Sequence, residues 1–171
     1  DLYLIHWPFK DKRNESWRAF IELQEKGLCK SIGVSNFTID NLKEIEDRFD
    51  ILPAANQVEF HPYHYQRELL DYCNSKNILI EAYSPLVHAK RMDEPRLVSI
   101  SQELGKTPAQ ILIRWAMQRG MIVLPKSVNN DRIIENFAVF DFEISDSVMK
   151  RLDALDERYV TCWDPHNPPP Y

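Results

Sequence analysis

The sequence has few cysteines, no long apolar run and no broad basic surface, and each absence excludes a class of protein. Its three cysteines, Cys29, Cys73 and Cys162, are odd in number and widely spaced, which excludes a complete disulfide framework and a CxxC metal pair. No apolar stretch reaches the length of about 18 residues that a transmembrane helix needs, and the sequence does not open with a secretory signal. We therefore expect a cytoplasmic protein with no metal site and no membrane partner.

The charge and the size of the chain narrow its class further. A net charge of -5 without a basic face argues against a nucleic-acid partner. A chain of 171 residues, 44% of them hydrophobic, can bury one good core. Because no linker or low-complexity segment interrupts it, we predict a single domain over residues 1–171.

Short apolar runs that end on polar residues, each followed by a helical pattern, recur along the whole chain. The predicted strands are 1–8, 31–36, 55–59, 78–84 and 121–127. Polar residues at the ends of successive strands, in a chain where strands and helices alternate, are typical of a parallel α/β barrel. A closed barrel has eight such units and about five are readable here, so we expect a chain that is incomplete at its N-terminus.

Capping signals and apolar periodicity place the helices between these strands. The predicted helices are 15–26, 38–49, 66–76, 95–104, one opening at Thr107, 130–139 and 145–155. Thr107, Pro108 and Gln110 form the signature of a capping box with proline at the first helical position. After Glu157 a proline-rich tail follows, which cannot form a helix or a paired strand.

The most specific cluster lies in the last third of the chain. Lys126 and Ser127 end a predicted strand, and Arg132, Glu135 and Asn136 share one face of the next helix because they are spaced three and four residues apart. Two cations, a hydroxyl and a helix N-terminus suit a doubly charged phosphate, and the Glu and Asn suit an adenine edge. The alternative is a basic strand end beside an ordinary amphipathic helix.

Polar groups at two earlier strand ends suit an amide ligand. Ser35 and Asn36 could bind a carboxamide such as that of nicotinamide, although Ser-Asn is also a common turn and capping pair. Gln57 would point a primary amide toward the mouth of a barrel. A core glutamine satisfied by backbone groups is an equal alternative.

Aromatic and imidazole side chains complete the set of candidates. Tyr83 offers a flat face that could stack on a planar ring, or it could simply plug the barrel. His6 could donate a hydrogen bond to a carbonyl oxygen as a neutral imidazole, though a lone histidine is more often structural. His61, His64 and His88 show no metal spacing, and we expect them in loops or at the surface.

Together these pieces resemble the aldo-keto reductase superfamily, over nearly the whole chain to about residue 155. The segments that carry the resemblance are 1–8, 32–37, 56–62, 82–86 and 124–127, with Arg132, Glu135 and Asn136. The resemblance implies a (β/α)8 TIM barrel, of which this chain supplies the last five strand–helix units, a C-terminal helix and a tail. It also implies NADPH as cofactor and the reduction of aldehydes or ketones.

Carried over by position, the resemblance implies a role for each candidate. The substrate side has a carbonyl-orienting imidazole and a pocket wall, His6 and Trp7. The nicotinamide side has three carboxamide contacts and one stacking ring: Ser35, Asn36, Gln57 and Tyr83. Ser84 and Leu86 are assigned to the pyrophosphate and ribose. Lys126, Ser127 and Arg132 are assigned to the 2′-phosphate, and Glu135 and Asn136 are assigned to the adenine.

Two departures from the family pattern matter for function. The loop 87–91 resembles the short loops of microbial members, but Val87 and Ala89 stand where glycines are frequent. The family's general acid, a tyrosine assisted by a lysine and an aspartate, has no match here. General acid help of about 10²–10⁴-fold would then be missing, so we expect these 171 residues alone to be inactive.

The parent protein is therefore predicted to be an NADPH-dependent carbonyl reductase acting on a small-molecule carbonyl substrate. Trp7, Trp163 and Tyr171 suggest an apolar or aromatic-lined pocket. The alternatives are a non-catalytic half-barrel that binds nucleotide or a partner chain, and a structural, crystallin-like protein. Bare strand edges would favour pairing with an N-terminal half or self-association.

Overall fold

Strands and helices alternate along the chain in the computed structural model, which describes residues 1–162 and 164. The strands are β1 (Leu2–Ile5), β2 (Ser31–Ser35), β3 (Ala55–Glu59), β4 (Leu79–Tyr83) and β5 (Ile122–Leu124). They form one sheet in the order β1-β2-β3-β4-β5, and β1 with β2 and β2 with β3 are parallel pairs. Neighbouring strands that follow one another in sequence and run parallel need a crossover between them, and a helix supplies it. The predicted α/β fold class is confirmed.

Seven α-helices are described in this part of the chain. They are α1 (Arg13–Glu25), α2 (Ile39–Glu46), α3 (Arg67–Ser75), α4 (Pro95–Leu104), α5 (Pro108–Gln118), α6 (Asn130–Phe137) and α7 (Asp146–Asp153). The predicted capping box is present: Gln110 N donates to Thr107 Oγ1, and Thr107 N donates to Gln110 Oε1. Within residues 1–162 and 164, none of the helices combines the length and apolar character that crossing a membrane requires.

Four of the five strands are shorter than predicted, and the difference is largest for β1 and β5. β1 stops at Ile5 and β5 stops at Leu124, so His6 and Lys126 follow their strands instead of lying in them. The early end of β5 has a simple cause, because Pro125 has no backbone N–H to donate to a neighbouring strand. The tail beyond residue 164, with its prolines, and Trp163 lie outside the described residues.

The described residues fall into two compact units. Unit 1 comprises Asp1–Val58, Gln66–Glu81 and Asp164, and unit 2 comprises Glu59–Tyr65 and Ala82–Cys162. β3 and β4 therefore each contribute residues to both units. Each unit has its own buried side chains, and they are described separately.

The core of unit 1 is centred on apolar residues of β2, α1 and α2. Trp17 of α1 is fully buried, and its indole N–H donates to the carbonyl oxygen of Ile51 at 3.1 Å. Val34 and Ile45 are also fully buried. Satisfying the indole N–H lets this large side chain be buried without an unpaired polar group.

The core of unit 2 contains a group of three aromatic rings. Phe60, Tyr65 and Trp115 have ring centroids 5.2–6.1 Å apart. The Trp115 indole donates to Asp153 Oδ1 at 2.9 Å, which ties α5 to α7. These distances lie in the range at which aromatic pairs attract beyond simple burial.

Gly33 in the middle of β2 provides a test of how tightly unit 1 is packed. A methyl group there would lie 2.7 Å from the carbonyl oxygen of Ala55 and 2.7 Å from Leu4 Cδ2. The added methyl group would force β2 away from Ala55 of β3 and Leu4 of β1. We therefore expect Gly33→Ala to lower the free energy of unfolding by roughly 1–3 kcal/mol. Urea unfolding followed by circular dichroism measures this, with Ser31→Ala on the same strand as control. Equal stability of both variants would contradict the close approach.

Candidate functional site

Polar groups of Ser35 and Asn36 at the end of β2 and of Gln57 in the middle of β3 form a hydrogen-bond network in unit 1. Ser35 and Asn36 are both almost fully buried. Ser35 Oγ donates to the carbonyl oxygen of Gln57 at 2.7 Å, and Asn36 Nδ2 donates to the carbonyl oxygen of His6 at 3.0 Å. Asn36 has a left-handed backbone with φ of 62°, a conformation that asparagine tolerates better than most residues. The network thus combines the two alternatives of the sequence analysis, since the Ser-Asn pair shapes a turn and also gathers polar groups.

The side chain of Gln57 has a charged partner. Gln57 Nε2 donates to Glu81 Oε2 on β4 at 2.7 Å, and both side chains are half-buried. From the sequence, a glutamine directed into the barrel mouth and one satisfied by backbone groups were equal alternatives. The structure instead gives it a carboxylate partner, which neither alternative included.

His6 and Trp7 lie directly after β1, at a cavity of about 390 Å³ in unit 1. Trp7 is buried, whereas His6 is exposed. Phe9, Lys12 and Arg13 also line this cavity. The cavity is thus lined by an imidazole and an indole, and their roles toward a substrate stay a prediction.

Tyr83 ends β4 in unit 2 and is half-buried. Burial raises the pKa of its hydroxyl above the ordinary value, and the nearby Glu59 carboxylate raises it further. The phenol therefore stays protonated at any physiological pH. Its carbonyl oxygen accepts a hydrogen bond from Phe60 N at 3.3 Å, which fixes the strand end.

The loop after Tyr83 has an unusual backbone. Val87, His88 and Ala89 form a 3-10 turn in which all three residues have positive φ, at 54°, 50° and 60°. Such angles cost little for glycine but are strained for other residues, most of all for a β-branched valine. The structure thus gives the physical reason why glycines suit the positions of Val87 and Ala89. His88 Nε2 lies 3.0 Å from Ser84 Oγ, which ties the turn to the strand end.

A cavity of about 700 Å³ in unit 2 brings together seven of the predicted cofactor residues. They are Ser84, Leu86, Lys126, Ser127, Arg132, Glu135 and Asn136. Three segments supply them: the loop after β4, the loop after β5 and the first two turns of α6. These residues lie up to 52 positions apart in the sequence (Ser84 to Asn136) and line the same cavity, while their roles toward a cofactor stay a prediction.

The charged end of this cavity is built by the loop that leads into α6. Ser127 Oγ accepts from Asn129 N at 3.1 Å, and Asn129 Oδ1 accepts from Arg132 N at 3.1 Å and so caps the helix. Lys126 and Arg132 are exposed. Among residues 1–162 and 164 neither cation has an ion-pair partner, so both charges are available to an anion.

The other end of α6 presents less exposed groups. Asn136 is buried and Glu135 is half-buried, and the backbone carbonyl of Glu135 accepts from Gln110 Nε2 at 3.3 Å. Gln110 Nε2 also donates to the carbonyl of Ala138 at 2.9 Å, so α5 anchors the end of α6. This anchoring holds the face of α6 that lines the cavity.

A buried carboxylate, that of Glu59, was not predicted from the sequence. His61 was expected in a loop or at the surface; it lies in the loop between β3 and α3, but it is fully buried, and its Nε2 donates to Glu59 Oε1 at 3.0 Å. Thr161 N and Cys162 N donate to the same carboxylate at 2.8 and 3.0 Å, and the Thr161 hydroxyl donates as well. Burial pushes the Glu59 pKa upward, but these hydrogen bonds outweigh it and lower the pKa from 4.5 to about 2. The sequence does carry a signal, since Glu59 is a charged residue within an apolar strand, but the residues that bind its carboxylate cannot be identified from the sequence.

Comparisons with known proteins find similar sequences over nearly the whole chain. A family model described as the aldo/keto reductase family matches residues 1–157. The chain is 47% identical over 167 residues to the uncharacterized oxidoreductase YtbE of Bacillus subtilis (strain 168), covering 98% of this chain and 60% of that protein. It is also 47% identical over 160 residues to the glyoxal reductase of the same organism, covering 92% of this chain and 58% of the relative.

Solved structures show the same likeness. A crystal structure of a mutant of Gox0644 in complex with NADPH matches with a TM-score of 0.92 and 40% identity, over 97% of this chain and 62% of that one. The expected fold, part of an α/β barrel, is thereby confirmed. The chain spans about 60% of the length of the curated relatives it matches.

The Glu59 carboxylate gives unit 2 a pH-dependent stability. Its folded pKa of about 2 lies below that of an unfolded glutamate, so the stability it contributes is fully present above the unfolded pKa, near 4.3, and is lost as the pH falls toward 2. We expect Glu59→Gln to lower the free energy of unfolding by roughly 3 kcal/mol at pH 7 and by much less near pH 2.5. Urea titrations at several pH values measure the difference, with the exposed Glu103→Gln as control. A difference that does not change with pH would contradict the assignment.

Proposed function

The chain belongs to the aldo/keto reductase family, and we propose that it provides the NADPH-binding part of an enzyme that reduces aldehydes or ketones to alcohols. The observation that carries the proposal is the cavity in unit 2. Two cations without ion-pair partners in the described chain, Lys126 and Arg132, line it together with the Ser127 hydroxyl. A pair of cations beside a hydroxyl and a helix N-terminus is a set of donors for a doubly charged phosphate.

The donor set fits NADPH better than NADH because the two cofactors differ only in the 2′-phosphate of the adenosine. Arg132 can grip this phosphate with its planar fork of N–H groups, whereas Lys126 adds a point charge. Glu135 and Asn136, further along the same face of α6, are proposed to contact the adenine. Ser84 and Leu86, in the same cavity, are proposed to lie beside the pyrophosphate and ribose.

The nicotinamide end is proposed to use the strand-end residues. Ser35, Asn36 and Gln57 would hold the carboxamide, and the Tyr83 ring would stack on the pyridine face. The chemistry that the cofactor supplies is the transfer of a hydride to the carbonyl carbon of the substrate. His6 would orient the carbonyl oxygen, since a neutral imidazole can donate a hydrogen bond to it.

The substrate class follows from two observations. Trp7 supplies an apolar wall beside His6, and the relative at 47% identity over 160 residues is named a glyoxal reductase, so small aldehydes are the first class to test. We propose that residues 1–171 belong to one aldo/keto reductase domain and that the protein works in the cytosol. The three free cysteines suit a reducing compartment.

A second candidate function, binding a partner chain, is favoured by exposed apolar residues. In unit 1, Leu2 and Tyr3 of β1 are exposed. In unit 2, Leu124 of β5 and Ile134 and Phe137 of α6 are exposed as well. Open strands and apolar helix faces invite pairing with another chain, either a copy of this one or one that completes the barrel.

Cofactor preference tests the main proposal. We expect Arg132→Ala to lower NADPH affinity by roughly tenfold to a hundredfold, because it removes a charge-assisted contact worth roughly 1.5–3 kcal/mol, and to leave NADH affinity nearly unchanged. Titration of both cofactors, followed by protein fluorescence, measures the effect. The matched control is Arg18→Ala, an exposed arginine of α1. Equal affinity of the unaltered chain for NADH and NADPH would refute the phosphate site.

Turnover tests the assignment of the proton donor. None of the seven tyrosines matches the family's general acid, so we expect the 171-residue chain to bind NADPH without oxidising it in the presence of an aromatic aldehyde or glyoxal. Absorbance at the nicotinamide band measures the oxidation. Robust turnover would show that a group in this chain donates the proton, and His6→Ala and Tyr83→Phe would then identify it.

A further inference from the structure

We propose that Glu81 is a positioning residue that determines which end of the Gln57 side-chain amide meets the cofactor. The inference rests on the proposed function, in which Gln57 contacts the nicotinamide carboxamide. The hydrogen bond from Gln57 Nε2 to Glu81 Oε2, 2.7 Å long, carries it.

Gln57 and Glu81 lie on β3 and β4, and both belong to unit 1. The adjacent Asn56 sends its side chain elsewhere: its Nδ2 donates to the carbonyl of Phe37 at 2.9 Å, and its Oδ1 accepts from Phe37 N at 3.3 Å. Successive side chains of a strand point to opposite faces of the sheet. Gln57 therefore lies on the face opposite to the contacts of Asn56, and Glu81 meets it there.

A glutamine amide has a donor end and an acceptor end of nearly the same shape, so an unrestrained side chain can present either to a ligand. A carboxylate oxygen can only accept hydrogen bonds. Glu81 therefore holds the NH₂ end of Gln57, and the Oε1 end must point away from it. Within residues 1–162 and 164, Gln57 Oε1 has no hydrogen-bond donor of its own.

The neighbouring polar groups do not supply that donor. Ser35 gives its single hydroxyl hydrogen to the backbone carbonyl of Gln57, and Asn36 gives its amide hydrogens to the carbonyl of His6 and to Ser35 Oγ. These donors are committed to the network. Gln57 Oε1 is thus an acceptor held in a fixed direction for a ligand that brings its own N–H.

The ligand chemistry that matches this acceptor is a primary carboxamide. Its NH₂ group can donate to Gln57 Oε1, whereas an acetyl group in the same position places a methyl group or a second acceptor there. Glu81 would thereby make the site select a pyridine-3-carboxamide over a 3-acetylpyridine. Without Glu81 the amide of Gln57 can turn and donate to the acetyl oxygen, so the selectivity should fall because the analogue binds more tightly.

The test compares NADP⁺ with its 3-acetylpyridine analogue, in which a methyl group replaces the amide NH₂. We expect the unaltered chain to prefer NADP⁺ by about threefold to tenfold, the worth of one neutral hydrogen bond. Glu81→Leu and Gln57→Leu should each bring the ratio of the two affinities close to one. The double variant should lower it no further, because both changes remove the same contact.

The affinity ratio separates positioning from a structural effect, since a distorted site weakens both cofactors alike. Glu68→Leu, an exposed acidic residue of α3, is the matched control and should keep the ratio. If circular dichroism shows that Glu81→Leu does not fold, Glu81→Val replaces it, because valine is favoured in strands. An unchanged ratio in a folded Glu81 variant, with normal NADP⁺ affinity, would overturn the role of Glu81 alone. If the unaltered chain does not bind NADP⁺, the proposed function fails and the role of Glu81 fails with it.

Discussion

The parallel pairing of β1, β2 and β3 is the constraint on which the candidate site of unit 1 depends. The register places Ile5 beside Val34 and Ser35 beside Gln57, so the polar residues near the carboxyl ends of the three strands lie at one edge of the sheet. Backbone carbonyls there accept hydrogen bonds from side chains of a neighbouring strand: Ser35 donates to the carbonyl of Gln57 on β3, and Asn36 donates to the carbonyl of His6 after β1. Antiparallel pairing would send alternate strand ends to opposite edges and separate these polar groups. The chemistry of the site is thus a consequence of strand direction.

Unit 2 builds its cavity by another route. Pro125 ends β5, and the chain between this proline and α6 is free to curve and to present Lys126 and Ser127 beside the helix N-terminus. Asn129 caps that helix, so one of the first backbone N–H groups already has an acceptor. The side chains of Lys126 and Arg132 have no ion-pair partner within the described chain. Rigid elements therefore hold a charged surface whose favourable partner is an anion. Such a surface costs stability through repulsion between its charges unless a ligand neutralises it.

Much of this architecture could be predicted from local sequence patterns. The helix caps and the shared face of Arg132, Glu135 and Asn136 depend on spacings of three or four residues or on single turns, which a sequence displays directly. The partner of Gln57 could not be predicted, because the register between β3 and β4 is set by tertiary packing. The burial of His61 could not be predicted for a related reason. His61 lies in the expected loop, but it is buried against the Glu59 carboxylate, whose other hydrogen-bond donors are about one hundred positions away in the sequence.

The Glu59 contacts also carry a consequence for the order of folding. Thr161 and Cys162 lie more than one hundred positions after Glu59 in the sequence, so these hydrogen bonds close a very long loop. The entropy lost on closing a loop rises with its length, and contacts of this kind form late. During synthesis the Glu59 carboxylate has His61 as a nearby donor, but Thr161 and Cys162 reach it only after residue 162 has left the ribosome. The β3 end of unit 2 therefore reaches its final stability only when this long-range contact has formed.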